Sequence, residues 1–188
     1  MTGVVELVFE THALTTDNER GIATGWLGGS LSARGRGLAA ELGTRRRNDR
    51  IDEVLCSDLA RAVETSEIAF GGTPLRVTLD WRLRELDYGD LNGAPVDAVA
   101  RERLERVDVP FPGGESYRDA TARVGELLDE LVTSATRRRV LVIGHTATRW
   151  AFDHLLDGKP LEEVVDAPFG WREGWEYTVR PTAASVAG

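Results

Sequence analysis

The sequence holds one cysteine, Cys56, and aromatic residues make up only 7% of its 188 positions. A lone cysteine closes no internal disulfide, which excludes the stapled secreted scaffolds and fits a reducing cytoplasm. The same scarcity excludes zinc ribbons and fingers. No apolar run approaches the roughly 18 residues of a membrane helix. The leading segment MTGVVELVFE has an acid inside its apolar stretch and no basic flank, unlike a signal peptide. Lys and Arg number 23 against 31 Asp and Glu, so a nucleic-acid-binding surface is not expected. Repeats, linkers and low-complexity blocks are missing too. What is present, 41% apolar and 29% charged residues, suits one globular domain over residues 1–188, in the cytoplasm.

Residues 4–9 read as a short strand of β-branched and apolar side chains, followed from Glu10 to Ser30 by a stretch too irregular for a long helix. Ser32 reads as the N-cap of a helix over 33–47, whose final Arg45, Arg46 and Arg47 would complement its dipole. Residues 52–56 form a second strand. Ser57 and Asp58 sit where a cap belongs, before a helical stripe of Leu59, Ala62, Val63, Ser66 and Ala69. Leu75 to Leu79 is a third strand. A long connection over 80–114 follows, with a short helix near 95–106, and Ser116 opens a helix to about 135. The Arg137–139 run again falls at a helix end. Residues 140–143, Val-Leu-Val-Ile, suit a central strand covered on both faces. A helix over 146–156 comes next, and Tyr177 to Val179 reads as an edge strand. Cys56, Trp150, Trp171 and Trp175 are expected in the packing, and Trp26 and Tyr88 at a pocket mouth.

Strands alternating with helices predict an α/β fold, a three-layer α/β/α sandwich with a mostly parallel central sheet. Ligands of such sheets bind beyond the carboxyl ends of the strands. His12 follows the first strand, Ser57-Asp58 with Arg61 the second, Glu85 the third and His145 the fourth. A neutral histidine is a competent nucleophile toward phosphorus. Arg61 offers a planar fork to phosphate oxygens, and His145, if protonated, a second cation. A carboxyl such as Glu85 can protonate a leaving alkoxide. Arg61 could equally pair with Glu64 or Asp58 on the surface. Glu10, Asp87, Asp90 and Glu115 compete with Glu85 for the acid's role.

In register, these segments resemble the histidine phosphatase superfamily, the phosphoglycerate mutase-like branch of phosphotransferases. Its opening pattern is a strand, Arg-His-Gly-Glu-Thr and an Asn three residues on; here Thr11-His12-Ala13-Leu14-Thr15 leads to Asn18. Gly25-Trp26-Leu27, Leu31-Ser32-Ala33-Arg34-Gly35, Ser57-Asp58-Leu59-Ala60-Arg61-Ala62, Leu83-Arg84-Glu85, Pro112-Gly113-Gly114-Glu115-Ser116 with Arg123, and Val140 to His145 follow in the family's order. The resemblance implies His12 as nucleophile, Arg61 and His145 as phosphate clamps, Glu85 as general acid/base, and Asn18 as an oxygen contact. Thr24 and Gly25 join the substrate-binding expectation. It also implies no metal and no organic cofactor.

Thr11 stands where the family has Arg before the nucleophile, and Ala13 where it has Gly. Losing one oxyanion donor typically costs about 100- to 1,000-fold in rate. Arg149, one helical turn beyond His145, is the nearest candidate to restore the cation, with Arg20 behind it; Thr11 itself is a neutral substitute contact. The expectation is therefore a metal-independent phosphomonoester hydrolase acting through a phosphohistidine on a small phosphorylated metabolite. A silent phospholigand-binding protein is the alternative from another class, and a phosphoglycerate-type mutase ranks lower. The expected partner is small phosphorylated substrate or inorganic phosphate, with no nucleic acid and no membrane, and a homodimer is left open.

Overall fold

The run Val140 to Ile143 has no polar side chain to turn toward water, and burying each such side chain stabilises by about 1.5–3 kcal/mol. All four are fully buried in the computed structural model, which describes residues 3–133 and 138–181. In chain order the elements are β1 (Val5–Thr11), α1 (Thr16–Glu19), β2 (Ile22–Ala23), α2 (Ala33–Arg46), β3 (Glu53–Cys56), α3 (Ala60–Phe70), β4 (Val77–Leu79), β5 (Ala94–Pro95), α4 (Val96–Glu102), α5 (Tyr117–Thr133), β6 (Arg138–Gly144), α6 (Thr146–Asp157), α7 (Leu161–Asp166) and β7 (Trp175–Val179). Short 3-10 turns occupy Trp81–Leu83 and Gly89–Leu91.

The main sheet runs β4-β3-β6-β1-β7. Its first four strands are parallel, and β7 closes one edge antiparallel to β1. Alternation along β6 sends Val140 and Val142 into one apolar cluster, with Val124, Leu127 and Leu128 of α5 and Phe152 of α6. Leu141 and Ile143 go to the other face, against Leu42 of α2 and Ala62 of α3. This is the expected three-layer α/β/α arrangement with a mostly parallel sheet. A third cluster lies beneath the strap between β4 and α5, and includes Tyr88, Phe111, Tyr117 and Trp150. The strap also carries β5, which pairs with β2 to tie it to the first loop.

Several local expectations give way to tertiary contacts. Ser57 and Asp58 do not cap α3, which starts at Ala60 after Leu59 without a side-chain cap; Asp58 is held by Arg84 at 2.6 Å and Ser57 faces His145. The third strand begins at Val77, the strap helix spans only Val96–Glu102, and α7 was not anticipated. The predicted end of α5 at 134–135, like Arg137, lies outside the described residues. Arg138 and Arg139 belong to β6 and pair with Glu53, Glu6 and Glu176 rather than serving a helix end. Trp171 is 57% exposed instead of packed, whereas Cys56, Trp150 and Trp175 are buried.

Arg45 and Arg46 do more than complement a dipole: both reach Glu10, a carboxylate buried in β1. Arg46 approaches Glu10 at 2.6 Å and Asp49 at 2.7 Å, with its side chain only 10% exposed. Removing Arg46 leaves the buried Glu10 with only the longer Arg45 contact at 3.2 Å, an under-compensated charge. Arg46→Met is expected to cost about 3 kcal/mol in urea unfolding. Adding Glu10→Gln to Arg46→Met should cost less than the two single changes summed, since no stranded carboxylate remains.

Candidate active site

Three neighbouring parallel strands end at the same level, and each delivers one polar side chain. The β1–β6 ladder runs to Thr11 opposite Gly144 and continues as His12 N donates to the Gly144 carbonyl at 3.0 Å. On β6's other side, Ser57 N donates to the Ile143 carbonyl at 2.9 Å. His12, His145 and Ser57 therefore come together by register. The two imidazole centroids are 5.0 Å apart with planes inclined by 52°, and His145 Nε2 lies 2.9 Å from Ser57 Oγ.

The hydrogen bonds define the tautomer of His12. Its Nδ1 lies 2.8 Å from the Ala13 carbonyl oxygen. A carbonyl only accepts, so Nδ1 carries the proton and Nε2 keeps its lone pair. His145 Nδ1 is buried and has no hydrogen-bond partner among the described residues.

Arg61 stands in the first turn of α3, 2% exposed, and donates to the Gly25 carbonyl at 2.9 Å and the Leu27 carbonyl at 3.3 Å. Among the described residues, no carboxylate lies within 4.0 Å of it. Glu64 is taken by Arg36 and Asp58 by Arg84, so neither surface partner is available. Gly25 has φ +56°, and a Cβ there would fall 1.7 Å from Asn92 Oδ1. Only glycine lets this loop turn its carbonyl onto Arg61 while Asn92 binds the amides of Trp26 and Tyr88.

Glu85 is 9% exposed, and its Oε1 accepts from the amides of Leu86 at 2.9 Å and Ala147 at 3.1 Å. Its backbone carbonyl accepts from the Trp26 indole at 2.7 Å and from Arg123 at 3.0 Å. Arg123 also binds the carbonyls of Arg82 and Arg84 and the carboxylate of Glu115. It thereby fixes the segment that presents the acid.

The remaining expected residues lie further out. Asn18 Oδ1 accepts from Thr15 N, completing a reciprocal cap of α1, and only its amide nitrogen is left for a ligand. Thr24 donates to Asp17 at 2.9 Å. Thr11, His12, Asn18, Arg34, Thr146 and Trp171 line an open cleft of about 520 Å³, and Arg61, Glu85 and His145 are not among its lining residues. Arg149 turns to Asp153 at 3.3 Å and lies over the Phe169 and Trp175 rings, so its guanidinium is drawn toward β7. Arg20 is exposed at the end of α1. Among the described residues, no group of three or more His, Cys, Asp or Glu is placed to hold a metal ion.

Packing against the ring and the nearby Arg61 charge push His12 down to about 3, against a smaller upward pull from the Ala13 carbonyl. His145 is held well below the ordinary histidine value by burial first, then by Arg61, His12 and Arg123. His145 is thus neutral in the free protein, and the condition on which it would serve as a second cation is not met until an anion binds. A phosphate dianion would supply the missing counter-charge and favour its protonation.

The sequence matches the histidine phosphatase superfamily, branch 1, over residues 7–170. The chain belongs to that superfamily. It is 33% identical over 179 residues to the 2,3-bisphosphoglycerate-dependent phosphoglycerate mutase of Mesorhizobium japonicum, covering 87% of both chains. A mycobacterial glucosyl-3-phosphoglycerate phosphatase, solved with VO3, superposes with a TM-score of 0.75 at 30% identity over 87% of each chain. The Shigella flexneri alpha-ribazole phosphatase gives 0.72 at 25% identity, over 85% of this chain and 83% of that one. Mutases and phosphatases both lie among the relatives of this superfamily member.

Sequence reading placed Ser57 at a strand end but took its side chain for a cap, because Ser-Asp before a helical stripe is also a cap signal, and it missed Trp26 as a ligand of the acid segment.

Both histidines stay neutral where free histidine would charge. The unfolded chain takes up protons below pH 6.5 while the folded chain does not until about 3 at His12. Stability is therefore complete above 6.5 and falls with acidification, by about 1.4 kcal/mol per pH unit for each histidine. In the free protein the His12 and His145 C2–H resonances should not titrate between pH 8 and 5, and added orthophosphate should move the His145 transition upward. An inflection near 6.5 at His12 without anion would contradict this.

Proposed function

We propose that this histidine phosphatase superfamily member is a phosphomonoesterase that works through a phosphohistidine at His12. The reading is carried by one arrangement: an imidazole whose Nε2 lone pair is set by the Ala13 carbonyl, near a buried Arg61 that forms no ion pair with a described carboxylate. His12 Nε2 attacks phosphorus, the bond to the leaving oxygen breaks, and Glu85 in its acid form hands that oxygen a proton. Arg61 and a protonated His145 hold the nonbridging oxygens as charge shifts among them. Glu85, now a carboxylate, takes a proton from water, the water oxygen bonds phosphorus, and the P–N bond breaks. Inorganic phosphate leaves and His12 is restored. The chain's own residues carry each step.

Phosphoglycerate mutases stand among the relatives of this chain, and a mutase would need a second hydroxyl in place of water to accept the phosphoryl group. Hydrolysis is favoured here because only 59 residues separate Glu85 from His145, which leaves little room for a larger lid. With Thr11 before His12, the cation count around phosphate rests on Arg61 and His145, and turnover is expected to be modest.

Phosphate release from phenyl phosphate in the presence of a chelator tests the proposal. The expected outcome is activity that survives chelation, falls at least about 1,000-fold in His12→Ala and about 100- to 1,000-fold in Arg61→Ala, with acid-labile phosphate on wild-type protein only. Thr11→Arg should raise turnover. Bound vanadate with no release from any ester, and no gain from Thr11→Arg, would instead support a silent phospholigand-binding protein.

A further inference from the structure

Beneath the strap, three side chains from three elements touch. Arg103 follows α4, Tyr117 opens α5 and Trp150 lies in the second turn of α6. The Arg103 guanidinium carbon is 5.1 Å from the centre of the Trp150 ring, and the Tyr117 and Trp150 rings meet edge to face at 5.6 Å. Among the described residues, Arg103 Nε and Trp150 Nε1 are buried without a hydrogen-bond partner, and the buried Tyr117 Oη faces the Arg103 side chain as an acceptor, which leaves its O–H to be donated. Tyr117 and Trp150 are each 2% exposed. Phenylalanine would fill the Tyr117 site without stranding a hydroxyl, and buried donors of this kind ordinarily find partners. Arg103, moreover, has no carboxylate within 4.0 Å among the described residues. Burial and the Glu85 charge push the Tyr117 phenol up, with Arg103 opposing them, so it remains a neutral donor.

This cluster adjoins the acid. Ala147 N binds Glu85 Oε1, and Trp150 follows one turn later on the same side of α6. Tyr88, three residues beyond Glu85, shares an apolar cluster with Tyr117, Ala147 and Trp150. In-line displacement puts the leaving oxygen on the side of phosphorus opposite His12, where Glu85 protonates it. The remainder of the alcohol must therefore continue past Glu85 toward these donors.

We propose that Arg103, Tyr117 and Trp150 form the leaving-group subsite, which takes an alcohol bearing acceptor oxygens, as a carboxylate or as hydroxyls, in preference to an apolar one. The indole and guanidinium can only donate, and the phenol can donate, so three acceptor lone pairs satisfy the site. The three atoms are shut off from water in the free protein, so admission requires the strap that carries Arg103 to lift. The proposal rests on the phosphomonoesterase reading.

The test compares kcat/KM for three probes, 2-phospholactate (carboxylate), glycerol 2-phosphate (hydroxyls) and phenyl phosphate (neither), in wild type, Tyr117→Phe and Arg103→Met. At least one acceptor-bearing ester should be preferred to phenyl phosphate, the better of the two naming the acceptor. That preference ratio should fall about 10-fold in either variant, through KM. No preference in wild type, or a ratio unmoved in both variants, overturns the subsite. If all three esters are inert, the hydrolase reading fails by itself. The Trp150 indole N–H resonance then decides the subsite. A downfield shift with 2-phospholactate or glycerol 2-phosphate that Tyr117→Phe diminishes supports it, and no shift overturns it.

Discussion

The parallel register between β1 and β6 is the constraint on which the site depends. Thr11 opposite Gly144, extended by the His12 amide, brings the next residue of each strand to the same edge of the sheet. A slip of one residue would send His12 to the opposite face, because side chains alternate along a strand. The register is enforced from far away: Leu7 and Phe9 pack on one face and Val8 on the other, together with the matching residues of β6. Spacing between the imidazoles is thus a property of the hydrophobic core.

Once the rings are adjacent, their electrostatics follow from burial and from Arg61. Two imidazoles and a guanidinium packed this closely, with His145 and Arg61 buried, cannot all be charged without a counter-ion. The free protein resolves this by keeping both histidines neutral. The neutral state suits a nucleophile at His12, and leaves His145 able to charge when an anion arrives. The same low-dielectric setting that suppresses protonation strengthens every contact made to a bound phosphate.

Much of this was legible in the sequence. Apolar runs followed at once by His12, Ser57 or His145 identify strand ends, and position on such an edge does not depend on distant contacts. The layer order and the burial of Val140 to Ile143 were equally direct. What failed did so where the partner is remote or the local signal ambiguous. Nothing near Arg46 announces that Glu10 lies across the fold from it, so a helix-end explanation was the natural one. Ser57 carries a capping signal that the helix does not use. Arg149 is different: Asp153 stands four residues on, and that helical spacing already predicts the pairing that pulls it aside. Trp150 was read as packing from its apolar neighbours, although its indole N–H had to be accounted for as well.

The strap between Asp87 and Glu115 has its two ends bonded to each other. Glu115 N donates to the Asp87 carbonyl at 2.9 Å, and Asp87 N returns a bond to the Glu115 carboxylate at 3.2 Å. Gly114 comes so near that an added Cβ would sit 2.2 Å from the Asp87 carbonyl oxygen. Arg123 then anchors this closed neck to the segment holding Glu85. A loop sealed at its base is a cassette: apart from β5 and Asn92, which brace the loop that holds Arg61, its interior can gain, lose or exchange residues while the reacting groups keep their positions. Evolution working on such a frame can revise what is recognised without rebuilding what reacts.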